Sequence, residues 1–197
     1  MKKNLKHFKI VNNSPVIIGF VIICCIVQII NTLTGGRSTT MFFSCNFSSS
    51  WKNPLTWLTY VTFGFGHISW EHLFGNMCYI LLIGPLIEEK YGSLDTVLIM
   101  LASTISTGVI GHIFFPSSGV VGASGIVFTF LILSSITSVT SGIPITLILV
   151  SVLYLLPEIK KWVLREDLNV SHFGHIIGGC VGILLGLFLR KGKHEET

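Results

Sequence analysis

The chain has 197 residues, 50% of them hydrophobic and only 11% charged, with a mean hydropathy of +0.75 and a net charge of +4. Soluble domains carry about 25% charged residues, so this composition excludes an ordinary globular protein and points to a polytopic membrane protein. A nucleic-acid surface is excluded too, because the basic residues form no patch interleaved with aromatics.

Roughly 20 apolar residues cross a bilayer as helix. Six runs approach that length: Pro15–Leu33, His72–Ile87, Leu94–Phe115, Val120–Val139, Ile143–Leu156 and Val170–Leu189. The predicted fold class is an all-α membrane protein, a single bundle of six transmembrane helices without internal repeats. The first run exceeds the apolar core of a signal peptide and lacks a small-residue cleavage site after it, so it reads as a retained anchor. Lys2, Lys3, Lys6 and Lys9 precede it, which places the tail 1–14 in the cytoplasm by the positive-inside rule. Six crossings return the tail 190–197, with Arg190, Lys191 and Lys193, to the same side, and leave 15–189 as the membrane domain. Lys160, Lys161 and Arg165 fall on the outer side and oppose this orientation without reversing it. A short chain with minimal tails fits a bacterial plasma membrane better than an organelle.

The connection Thr34–Trp70 is the largest piece outside the spans. It carries Trp51, Trp57, Tyr60, Phe63, Phe65 and Trp70, residues that favour the membrane interface, so short helices lying in the outer leaflet are expected there. The fifth run is short, and a full span needs it to extend through Pro157 to about Val163. The five cysteines, Cys24, Cys25, Cys45, Cys78 and Cys180, have no metal-ligand spacing and read as small apolar residues.

Polar groups inside spans mark function. Ser124 stands in Gly122-Ala123-Ser124-Gly125, where the glycines allow close backbone approach and leave peptide N–H groups open near a helix start. Such N–H groups can stabilise an oxyanion. Ser134, Ser135 and Ser138 lack that setting and read as structural. His175 shares a helix face with Gly178, Gly179 and Gly182, so the face that packs tightly against a neighbour also presents an imidazole. His172 lies one turn nearer the outer surface. His72 and Asn76, at i and i+4, share a face of the second span and can both donate hydrogen bonds to a developing negative charge. Among the acids, Glu71, Glu158, Glu166 and Asp167 lie on the outer side, and none lies well inside a span there. A Ser124–His175 dyad is therefore the simpler expectation than a triad, with Phe128, one turn after Ser124, stacking on the imidazole.

In this order, on the second, fourth and sixth spans, the set His72-x-x-x-Asn76, Gly122-Ala123-Ser124-Gly125 and His175-x-x-Gly178-x-x-x-Gly182 resembles the rhomboid family of intramembrane serine proteases. The resemblance covers roughly Trp57–Leu189. It implies Ser124 as nucleophile, His175 as general base, and an oxyanion hole of His72, Asn76 and the Ser124 backbone N–H. It implies helix packing at the site through Gly122, Gly125, Gly178 and Gly182, and a water-filled cavity open to the outer face. The expected partners are single-span transmembrane protein substrates and the lipid bilayer, with no cofactor, metal or nucleic acid. Two departures stand out: a Trp-Arg pair common in the first loop is here Trp57-Leu58-Thr59, and a tyrosine found after the serine in some members is Phe128.

Two other readings compete. One is a proteolytically inactive rhomboid-like protein that binds membrane helices, against which the intact Ser124, His175 and donor set argue. The other is a metal or haem site on His67, His72, His112 and His175, against which stand the lack of a His-Glu-x-x-His sequence and of a carboxylate partner for these histidines. A transporter would be expected to show hydropathy repeats, which are absent here.

Overall fold

A computed structural model describes residues 12–136, 142–166 and 171–192. Lys2, Lys3, Lys6, Lys9, Ser138, Asp167, Lys193 and the predicted ends Val139 and Val170 lie outside the described residues.

Helix α1 spans Pro15–Leu33, the run expected from hydropathy. Pro15 sits in its first turn, where a missing N–H costs nothing. The next two N–H groups, of Val16 and Ile17, donate to the two carboxylate oxygens of Glu88 at 3.1 Å each. Glu88 is 4% exposed and also accepts from Ser93 Oγ at 2.6 Å. A buried anion at a helix N-terminus satisfies orphan donors and the helix dipole together.

The first connection holds two short helices, α2 (Arg37–Phe42) and α3 (Pro54–Thr62), then a 3₁₀ turn at Phe63–Phe65. A two-residue strand β1 (Cys45–Asn46) pairs antiparallel with β2 (Gly119–Val120). Phe47 N–H extends the tie by donating to the Ser118 carbonyl at 3.0 Å. Tyr60 Oη lies 2.8 Å from His112 Nδ1, which anchors α3 to the C-terminal end of α5 (Ser93–Phe114).

Helix α4 runs Trp70–Tyr91, longer at both ends than the expected His72–Ile87, because Ser69 accepts from His72 N–H and caps it. Leu73, Met77, Ile80 and Ile87 form one buried face against Ile17, Phe20 and Cys24 of α1. Helix α6 covers only Ser124–Ser134. The preceding residues, expected as helix from Val120, are strand and turn instead, since the pairing with β1 claims Gly119–Val120. At 11 residues, α6 is roughly 16 Å long, about half a bilayer. It is also the core of the molecule, with Ile126, Phe130, Ile132 and Leu133 buried.

The fifth run is longer than Ile143–Leu156. Helix α7 (Ile145–Val150), a π-helical turn at Ser151–Leu155 and helix α8 (Leu156–Leu164) continue one into the next, past Pro157 to Leu164. Helix α9 is His172–Gly192. Among the described residues, three helices are long and apolar enough to cross a membrane: Pro15–Leu33, Ser93–Phe114 and His172–Leu189. Large apolar side chains face outward on several helices, Leu82, Leu94, Leu153 and Phe188 each being more than 65% exposed, as lipid-facing positions are. A mostly helical membrane protein follows from these features.

Candidate active site

The chemistry-bearing residues meet where α4, α6 and α9 converge. Ser124 is the first residue of α6, and no side chain caps that end. The first N–H groups of the helix therefore stay open for a ligand. The turn before it is held by the Gly122 N–H, which donates to the Phe63 carbonyl at 3.0 Å. Gly122 has φ +111°, in the region that favours glycine. A Cβ there would also stand 2.6 Å from His72 Cε1 and 2.8 Å from His72 Nε2. The imidazole of His72 thus lies against the turn that carries Ser124, and Asn76 Nδ2 follows at 3.6 Å from the same point. Asn76 is 7% exposed, and its Nδ2 has no hydrogen-bond partner among the described residues. It is a donor still to be spent.

Helix α9 approaches from the other side, backbone against backbone. A Cβ on Gly178 would run into the Gly125 carbonyl and come within 2.9 Å of Gly125 Cα. One on Gly182 would come within 2.7 Å of the Thr129 carbonyl, and one on Gly125 within 3.4 Å of the Gly174 carbonyl. Thr129 Oγ1 joins the seam, 2.8 Å from the Gly178 carbonyl and 2.9 Å from both the Gly125 carbonyl and Ser103 Oγ. This contact sets His175, the residue after Gly174, beside the first turn of α6. Phe128 lies one turn into α6 and stacks on His175, with ring centroids 4.5 Å apart and planes 7° from parallel.

Ser124, His72, Asn76, Phe128 and His175 line one open cavity of about 1530 Å³. Ser124 and His175 are not hydrogen-bonded to each other among the described residues.

One contact departs from the sequence expectation. Glu158 of α8 accepts at Oε2 from His175 Nδ1 at 2.6 Å and from His172 Nδ1 at 2.7 Å. The premise that no carboxylate pairs with these histidines is thereby corrected. The sequence set Glu158 aside as an acid beyond the spans, whereas α8 continues the fifth run as helix and brings it against α9. Nitrogen and oxygen ligand atoms of Glu158, His172 and His175 all lie within 4.8 Å of one another, a spacing that would also suit a divalent ion. In this structure the carboxylate bridges the two imidazoles. His172 is 4% exposed, and its Nε2 lies 3.1 Å from the Glu166 carbonyl.

His67 lies outside the spans, behind His72, with ring centroids 5.0 Å apart. Burial pushes its pKa down to about 4, and the nearby His72 adds to this, while its contact with the Phe65 carbonyl opposes it. His112, the remaining histidine of the metal or haem alternative, belongs to the Tyr60 contact in the first connection.

The family model of the Rhomboid domain matches residues 54–192. The chain is also similar to Rhomboid-like protein 11, chloroplastic, of Arabidopsis thaliana, at 25% identity over 155 residues. That match covers 72% of this chain and 55% of the relative, so the chain spans about half the length of that protein.

Proposed function

The chain belongs to the rhomboid family, and on that premise we propose that it is an intramembrane serine endopeptidase that cleaves transmembrane segments of single-span membrane proteins. The observation that carries this reading is the convergence at Ser124: an uncapped helix start, with His72 and Asn76 on one side and His175 on the other. The bundle would have six spans, formed by α1, α4, α5, α6, the α7–α8 rod and α9, within a membrane domain of 15–189. The first connection would lie in the outer leaflet, and the tails 1–14 and 190–197 in the cytoplasm of a cell whose plasma membrane holds the protein.

In the mechanism, a substrate helix unwinds at the cavity and Ser124 Oγ attacks a peptide carbonyl. His175 Nε2 takes the serine proton and later gives it to the leaving amine. The oxyanion is met by His72, Asn76 and the Ser124 backbone N–H. Water then hydrolyses the acyl-enzyme by the same base. His175 must be neutral to act as the base.

The test is cleavage of a single-span substrate in liposomes by the wild type and by Ser124→Ala. Cleavage by the wild type alone establishes the serine mechanism. Equal cleavage by both sinks it. A wild type that neither cleaves nor reacts with a fluorophosphonate probe at Ser124 favours the alternative, a proteolytically inactive protein that binds membrane helices.

A further inference from the structure

We propose that Glu158 and His172 are positioning residues that turn the Ser124–His175 pair into a braced triad; this rests on the protease reading above. Phe128 fixes the plane of the His175 ring by stacking, but stacking alone leaves the ring free to turn within that plane or flip over. The carboxylate removes that freedom. Ionised, Glu158 can only accept, so its 2.6 Å contact requires the proton on His175 Nδ1 and leaves the lone pair on Nε2 for the serine hydroxyl. The length is that of a charge-assisted bond.

The same oxygen accepts from His172 Nδ1, and the two imidazoles stand at 86° with centroids 6.3 Å apart. His172 Nε2 faces the Glu166 carbonyl, another acceptor. With its N–H on Nδ1, His172 holds the carboxylate from the side away from His175. The other charged groups on the cavity wall are Glu71, Lys161, Arg165 and Glu166. When His175 takes the serine proton onto Nε2, Glu158 is the anion already in contact with the imidazolium. It takes no proton itself, and the proton passes from His175 to the leaving amine.

The experiment uses the full chain in liposomes, as wild type and as Glu158→Gln, which keeps side-chain size. It measures kcat and KM for a single-span substrate, labelling of Ser124 by a fluorophosphonate, and the ¹⁵N spectrum of histidine-labelled protein with His175→Gln for assignment. The expected result is a fall in kcat of about 10²–10⁴-fold with KM within about twofold. In the spectra, His175 holds its proton on Nδ1 in the wild type and loses that preference in the variant. Rescue of much of the rate by Glu158→Asp would separate carboxylate chemistry from packing. An active Glu158→Gln within about threefold of wild-type kcat overturns the positioning role alone. A His175 proton on Nε2 in the wild type overturns it whether or not the variant folds. A wild type that neither cleaves nor is labelled overturns the protease reading, and the catalytic meaning of the triad with it.

Discussion

Gly178 shows how narrow the tolerances are at the residue scale. Alanine is the better helix former, by up to about 1 kcal/mol, so an unconstrained glycine in a helix gains from the change. Gly19 in α1 is such a position, with nothing within 4 Å of an added Cβ. At Gly178 the added carbon meets the backbone of Gly125, which cannot rotate away. Forced overpacking costs about 1–3 kcal/mol. Gly178→Ala is therefore expected to lower the thermal midpoint in detergent and to cut cleavage by moving His175 from Ser124, while Gly19→Ala leaves both unchanged or raises the midpoint. A Gly178→Ala protein with wild-type midpoint and rate would show that the seam between α6 and α9 can open at no cost. The convergence of Ser124, His72, Asn76 and His175 was legible in the sequence because helix spacing and the glycines beside them mark the faces that meet. Glu158 was not, because its neighbours in space come from another element.

Elements were legible in proportion to how little they depend on partners. Helix α1 was predicted to the residue, since an apolar run between Pro15 and a Thr-Gly-Gly stretch has little else to become. Helix α6 was overestimated because the tie of Gly119–Val120 to β1 is a long-range pairing. The fifth rod runs through Pro157 as its length required, because Pro157 falls in the first turn of α8, where it breaks nothing. The buried Glu88 joins α1 to α4 through the two N–H groups of Val16 and Ile17, a pairing across 71 and 72 residues that no local pattern announces. Glu88→Ala leaves those donors unpaired, and each buried unpaired group costs about 1–3 kcal/mol. The expected outcome is a lower thermal midpoint with α1 cleaved first in limited proteolysis, and a smaller loss for Glu88→Gln, which keeps one acceptor. Equal proteolysis of wild type and Glu88→Ala would show that α1 is held by apolar packing alone.

The whole molecule carries a pH dependence separate from catalysis. His67 is fully buried, and the Asn31 side chain donates to its carbonyl at 3.3 Å, so α1, the first connection and α4 meet around it. Its folded pKa of about 4 lies below the ordinary value of 6.5, so the unfolded chain binds its proton first. The sign follows: the contribution is complete above about pH 6.5 and is lost as pH falls towards 4, to a limit of about 3 kcal/mol. Thermal midpoints should fall between pH 7.5 and about 4.5 in the wild type, and fall less in His67→Gln. Parallel curves for the two proteins would remove His67 as the source.

The two-residue ladder of β1 and β2 is the smallest element of the fold, yet it decides where force can enter. Residues 45–46 lie in the first connection and residues 119–120 lie just before Gly122, so that connection is wired directly to the turn that carries Ser124. Displacing β1 would drag the helix start with it. An antibody fragment or cyclic peptide that grips the first connection would thus act as an allosteric handle, throttling the protein without entering the cavity.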